Sequence, residues 1–450
     1  MFPSEVLVMI FTHLDAESLE HSKHVCKKWK NLVETSVHLW KSLIRRFCYQ
    51  NKSMEKMLKL SVYRDIISDA TKLEILYRKL LKVEQNVISS NYRVRTINCL
   101  EVEVGGAKVE RDSEWSRNHN YKGVYDMVLD NNILVASVYD TIQIWDMSKY
   151  VIKNIIPSKV LDESCSKTTC FTLFHEKFLV CGTQNGFLKL YSLQSCQIIS
   201  KTKQNSNYIT DVVANDDTVA SIDWYGEVIL WKLIQDGNSC ELQCVTPEKQ
   251  FIVPRILASR EHERLMDFTS DYLVTTYRTH LTCYKKTEFF RSFPAPTDIF
   301  CINIQGDKLA FGCKGEGRIP EETEADSMLS ASSGILNLDP DKFPAVVYFK
   351  TRDNDPIISI SFNSNNIITL GDTNGELHIV NVEKLKFPDK GEVTVNLADN
   401  ENEWGVEFIT TIRTHEYRSF VWACKTDCYR MFSGDESGKI IVHDYLMFED

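Results

Sequence analysis

The sequence predicts an α+β multidomain chain: a small N-terminal helical unit and a helical linker, then a long all-β region. Three observations carry this. Residues 1–47 place apolar side chains at helical spacing, a helical period runs on through 54–88 with no proline or glycine from Leu58 to Asn91, and from about Tyr92 a strand–turn–strand frame recurs seven times. The expected boundaries are 1–47, 48–90 and 91–450, with an acidic insertion at 315–344.

Pro3 stands where the first turn of a helix tolerates proline, and Val6 to Phe11 is apolar on every side of that helix. Asp15 caps a second helix starting at Ala16, a third carries Val25, Cys26, Trp29, Leu32 and Val33, and Leu39, Trp40, Leu43, Ile44 and Phe47 give a fourth apolar face. So short a segment holds more apolar side chain than its own interior hides. The surplus must face a partner or the rest of the chain. In the linker Val62, Ile66, Leu73, Leu80 and Val87 recur near a helical period, with Leu76 and Val83 beside them. A stiff connector of this kind holds two domains at a fixed separation.

The N-terminal residues resemble an F-box: Pro3 and Glu5 before a hydrophobic helix, Leu14-Asp15 at its end, then Leu19, Val25-Cys26, Trp29 and Leu39-Trp40. Phe2 stands where the family usually has leucine. The resemblance covers about a tenth of the chain and implies docking on Skp1, which connects to a cullin–RING ubiquitin ligase. It assigns Skp1 binding to Phe2, Pro3, Val6, Leu7, Ile10, Phe11, Leu14, Leu19, Val25, Cys26, Trp29, Leu39 and Trp40. The motif begins at Met1, so the N-terminal dimerisation segment found in the family is expected to be absent.

The net charge of -10 is unevenly spread: residues 1–104 carry 17 Lys+Arg against 12 Asp+Glu, so the acid excess lies in the all-β region. That argues against general phosphate-backbone binding, and no nucleic-acid partner is expected. The 14 cysteines are scattered without a Cys-x-x-Cys, and the closest pairs, Cys240/Cys244 and Cys424/Cys428, have no histidine pair at ligand spacing. They read as reduced, mostly buried thiols of an intracellular protein, cytoplasmic or nuclear, with no metal. No apolar run reaches a membrane span and no basic leader precedes one, so no membrane partner is expected.

In the β region FLVCGTQNGFLKLY, TVASIDWYGEVILW, NIITLGDTNGELHIV and MFSGDESGKIIVH share one frame. An apolar run stops at a turn glycine (Gly186, Gly226, Gly375, Gly438), and alternating residues follow, ending at Tyr191, Trp231, Val380 and His443. ILVASVYDTIQIWD and YLVTTYRTHLTCY lack the glycine, and a seventh copy is split into DKLAFGC and AVVYF around the insertion. A further short strand precedes each copy, as at Val124 to Leu129 or Ile209 to Ala214. This pattern resembles the WD40 family over about 91–450, and seven copies imply a seven-bladed β-propeller. Only Trp145-Asp146 is a WD dipeptide and the usual Gly-His pairs are missing, so the family's side-chain hydrogen-bond network is not expected. Arg93 to Val104 reads as a lone strand that pairs with the last blade and closes the ring. The insertion reads as a disordered loop between the second and third strands of its blade, with Ser327 and Ser330 as sites open to modification.

No phosphate loop, nucleophile elbow or zinc-protease motif is present, and isolated histidines such as His175 and His415 read as turn or surface residues. No catalytic residue and no cofactor are expected. F-box proteins with WD40 propellers often read phosphorylated segments through arginines at two positions per blade. On that frame the innermost-strand position falls on Tyr125, Cys170, Thr210, Arg264 or Leu265, Phe300, Ser359 and Trp422. The turn position falls on Tyr139, Gln184, Trp224, Arg278, Thr373 and Glu436. The basic cluster is missing. Tyr125, Tyr139, Trp224, Arg264, Arg278, Phe300 and Trp422 instead describe a substrate-binding face for an apolar or aromatic anchor with an acidic group beside it. The expected function is a non-catalytic substrate-recognition subunit of an SCF (Skp1–cullin–F-box) ubiquitin ligase, and the alternative is a non-degradative scaffold that binds Skp1 without ubiquitin ligation.

Overall fold

The computed structural model describes residues 2–49, 69–100, 103–104, 107–108 and 123–446, apart from short internal stretches of which the longest are 158–167, 253–264 and 315–331. Five helices lead: α1 (Ser4–Phe11), α2 (Ala16–Lys23), α3 (Lys27–Thr35), α4 (Val37–Tyr49) and α5 (Ala70–Ile88). Asp15 caps α2 as expected, its Oδ1 accepting from the Ser18 amide at 2.7 Å. Cys26 is extended (φ -162), so α3 starts at Lys27, and Val25 and Cys26 lie in the turn before it rather than within it. The connector is helical over Ala70–Ile88, and its expected start at 54 lies outside the described residues.

The helical unit does not stand apart from the β region. Leu73, Leu76, Tyr77, Leu80, Val83 and Val87 of α5 share one hydrophobic cluster with Leu39, Trp40 and Leu43 of α4 and with Ile367, Ile379, Ile412, Tyr429, Met431, Tyr445 and Leu446. Asn86 Nδ2 also donates to the Tyr445 carbonyl at 2.8 Å. On the other side Glu74 pairs with Lys23 (2.7 Å) and Arg78 (2.8 Å), and Arg78 pairs with Glu20, tying α2 to α5.

Seven sheets form the propeller, antiparallel throughout except for one strand added to blade 5. Blade 1 opens with Val124–Asp130, blade 2 with Thr168–Phe174, blade 3 with Ile209–Ala214, blade 4 with Met266–Phe268, blade 5 with Ile299–Gln305, blade 6 with Ile357–Phe362 and blade 7 with Val421–Thr426. The turn glycines Gly186, Gly226, Gly375 and Gly438 have φ between 75 and 85, the left-handed region their frame required. Arg93–Asn98 pairs antiparallel with Lys439–Asp444 as the outer strand of blade 7, so the first and last strands of the propeller close the ring together.

Two features of blades 5 and 6 depart from expectation. Ser333–Asn337, inside the stretch expected to be loop, is the third strand of blade 5, and AVVYF belongs to the fourth strand, Ala345–Lys350. Ile335 and Leu336 supply the buried face that holds it. Gly391–Asn396, on the long connection before the outer strand of blade 6, adds to Ala345–Lys350 in parallel as a fifth strand of blade 5.

Neighbouring blades are fastened at their first strands. Asp211 accepts the Met266 amide (2.7 Å), Asp267 the Ile304 amide (2.6 Å), Asn303 the Phe362 amide (2.8 Å) and Ser361 the Thr426 amide (3.1 Å). Second-strand glycines let the blades approach: a Cβ on Gly182, Gly312, Gly371 or Gly434 would sit within 2.8 Å of Ile209, Ile357, Val421 or Val124 of the next blade.

A side-chain network of the kind thought missing exists at blade 7. His415 is buried, its Nε2 is 3.0 Å from Ser433 Oγ and its Nδ1 3.1 Å from Asp435 Oδ2, while Ser419 Oγ donates to Asp435 at 2.9 Å. Thr414 replaces the usual glycine before this histidine, which hid it. Burial alone would raise the Asp435 carboxyl, but His415, the Lys439 amide and Ser437 outweigh that and hold it at about 2. His175, by contrast, is exposed in a turn. Burial pushes the thiols of Cys283 and Cys313 up to about 12 and that of Cys424 to about 11, and no disulfide joins the described cysteines.

Candidate partner-binding mouth

A cavity of about 1020 Å³ opens at the centre of the ring, lined by the first strands of all seven blades. One device aims its side chains. In six blades the pairing of first and second strands slips by one residue, a β-bulge, and the extra residue is Tyr125, Thr169, Thr210, Phe300, Ile358 or Trp422. A bulge turns its residue out of the ladder, and all six line the cavity.

This places the expected residues one by one. Of the innermost-strand residues, Tyr125, Thr210, Phe300 and Trp422 are bulge residues, whereas Cys170 and Ser359 lie one step further along their strands and the equivalent positions are Thr169 and Ile358. Of the blade 4 alternatives, Leu265 lines the cavity, and Arg264 falls outside the described residues, as does Tyr139. From the turns, Gln184 and Arg278 reach the cavity. Trp224 does not line it but packs edge-on against Tyr208, which does, with ring centres 6.0 Å apart.

Sequence reasoning passed over Tyr208 and Phe420, which sit just before first strands, and the carboxylates Asp126 and Asp211. Trp422 joins two rings, 5.3 Å from Phe420 and 6.2 Å from Tyr125, and Phe300 is 37% exposed. Burial pushes the Asp211 carboxyl up to about 7, against the amides of Met266 and Val212, with the charges of Asp126 and Asp267 adding to it. Burial also raises Asp267, despite the Ile304 and Phe268 amides and the charge of Lys425. The mouth is thus an aromatic rim over a mixed-charge wall, suited to a peptide segment more than to a small polar substrate.

The helical unit presents a second surface. Leu7, Phe11, Leu19, Leu39 and Trp40 are buried, so these expected contact residues build the helices' core instead. Trp40 Nε1 donates to the Val33 carbonyl at 2.8 Å and Trp29 packs edge-on against Phe11 at 5.2 Å. Val6 and Leu14 are half-buried, and Pro3 and Cys26 are exposed. Phe2 (64% exposed), Ile10 (44%), Val25 (61%) and the unforeseen Met9 (64%) leave an apolar surface open. Asp372, Glu376 and His378 also cluster, but each is engaged: Asp372 by the amides of Asn374 and Glu376, Glu376 by Arg413, and His378 by Thr411.

Fold and surfaces together define an adaptor-type architecture, a propeller with a partner-sized mouth and an appended helical docking unit. Residues 2–46 match the family model described as F-box-like. The propeller is similar to the WD40 repeats of RRP9 (12% identity, 78% of this chain and 97% of that chain, TM-score 0.53) and to U3-55K (12%, 78% and 98%, 0.52). It is also similar to a chain of the mitotic checkpoint complex (10%, 78% and 93%, 0.51). No curated protein matches the chain. An F-box-like domain is thus followed by a seven-bladed β-propeller that resembles WD40-repeat structures. No helix among the described residues is long and apolar enough to cross a membrane.

Proposed function

We propose that this chain is the substrate-recognition adaptor of an SCF E3 ubiquitin ligase, with its F-box-like helices docked on Skp1 and a protein substrate held at the propeller mouth. It works inside the cell and catalyses nothing itself: it raises the concentration of a target lysine near the charged ubiquitin-conjugating enzyme. The observation that carries the reading is the exposure of the apolar residues Phe2, Met9, Ile10 and Val25 within the segment of F-box-like sequence. In this proposal those residues, with Pro3 and Cys26, face Skp1, while Leu7, Phe11, Leu19, Leu39 and Trp40 keep the helices in place. The division of labour follows the boundaries 1–47, 48–90 and 91–450.

The test is affinity purification of the intact protein under cullin-ligase inhibition, beside an Ile10→Asp, Val25→Asp variant. Skp1 and a cullin should vanish from the variant while other partners stay. Absence of Skp1 from the wild-type sample would sink the proposal.

A further inference from the structure

The mouth contains a cation that has no partner among the described residues. Among the described residues the Arg278 side chain makes no hydrogen bond or ion pair, and its Nε is shielded from solvent without an acceptor. A charged donor kept from water and left unpaired is costly, and such a group marks a place where a ligand or water belongs. The carboxylates of the same cavity are already occupied. Asp211 accepts the Val212 and Met266 amides, and Asp267 accepts Phe268, Ile304 and Asn303.

Resting on the reading of this mouth as the substrate site, we infer that Arg278 receives an unphosphorylated aspartate or glutamate of the partner, whose aromatic residue seats across the mouth at Tyr125, Phe420 and Trp422. The planar guanidinium offers its two terminal Nη groups side by side, which match a carboxylate's two oxygens. A phosphate brings a charge of about -1.5 to -2 and asks for more cations than one. Here Asp126, Asp211 and Asp267 line the same cavity, and the charge of Lys425, the other lining cation among the described residues, already acts on Asp267. The wall therefore repels a dianion and admits a single carboxylate.

The experiment uses the full chain and a library of short peptides with blocked ends, each with one aromatic residue and, at every spacing from it, Asp, Glu, phosphoserine, Asn or Lys. Binding is read by fluorescence polarisation. Asp or Glu should bind at least about 30-fold tighter than Asn, and phosphoserine no tighter than Asp. Arg278→Gln, which removes no contact of the fold, should erase the preference for Asp over Asn, and Trp422→Ala should weaken every peptide. A preference for phosphoserine or Lys, or equal binding of Asp and Asn, overturns the inference while Trp422-dependent binding keeps the mouth as the substrate site. If no peptide binds, the assignment of the mouth itself falls, and the carboxylate with it.

Discussion

Arg430 Nη1 donates to the carbonyl oxygen of Met147 at 2.9 Å, across the seam between blades 7 and 1. The same guanidinium reaches Asn132 Oδ1 at 3.0 Å and Asp427 Oδ2 at 2.8 Å, and the side chain is 2% exposed. Arg430→Ala leaves a carboxylate, an amide and a carbonyl without their donor at the point of ring closure. A loss of about 3 kcal/mol is expected in chemical denaturation, and Arg430→Lys should recover only part of it because one ammonium cannot reach all three.

The shared cluster of α4, α5 and blades 6 and 7 predicts one unfolding event rather than two. Trp40→Ala, expected to cost about 3 to 5 kcal/mol, should lower the melting temperature of propeller and helices together. Two separate calorimetric transitions in the wild-type protein would contradict this. Loss of Skp1 in a Trp40 variant would then report lost structure rather than a lost contact.

Gly434→Ala puts a Cβ 2.5 Å from Val124 Cγ1. The Val124 side chain is fully buried, so the strain has little room to relax. The substitution should cost about 1 to 3 kcal/mol by denaturant titration, and pairing it with Val124→Ala should return part of that.

Two buried groups oppose one another as the pH falls. Burial, with the nearby charge of His415, depresses His443 from 6.5 to about 4, so the unfolded chain binds its proton first and stability is lost as pH drops from 6.5 toward 4. Asp211 is raised from 3.8 to about 7, so the folded chain binds the extra proton and stability is gained as pH drops through the window from 7 to 3.8. Asp267 acts in the same direction as Asp211. Asp211→Asn should therefore be more stable than wild type at pH 7.5 and lose stability more steeply between pH 6.5 and 5, as read from urea midpoints.

Arg278 adopts φ 50 in the two-residue turn between Tyr277 and His280, where glycine is the relaxed choice. Arg278→Gly should raise stability by about 1 kcal/mol in thermal unfolding while erasing the preference for Asp over Asn peptides. A fall in stability would mean that the side chain supports the fold.

The propeller was legible because its signals are local: Gly186 or Gly438 announces a turn wherever it stands, and Arg93–Asn98 had no other strand to pair with. What stayed hidden depended on pairing. A bulge has no residue signature, so the sequence does not separate Thr169 from Cys170 or Ile358 from Ser359 as the residue turned out of the ladder. Ser333–Asn337 offers few apolar residues to mark it in an acidic, serine-rich stretch, and the parallel addition of Gly391–Asn396 joins segments distant in the chain. On an all-apolar helix such as α1, periodicity cannot say which side is covered, and burial gave Leu7 and Phe11 to the core and left Met9 and Ile10 outside. His415 was misread for a related reason: its partners Ser433 and Asp435 arrive from the next blade.

The closure of blade 7 by Arg93–Asn98 also sets an order of assembly during synthesis. That strand and α5 leave the ribosome well before Lys439–Asp444, Tyr445 and Leu446, on which they settle. Until then α5 keeps Leu73, Leu80 and Val87 without their seat. A chain cut before Lys439 therefore lacks both a closed ring and a fully seated helical unit.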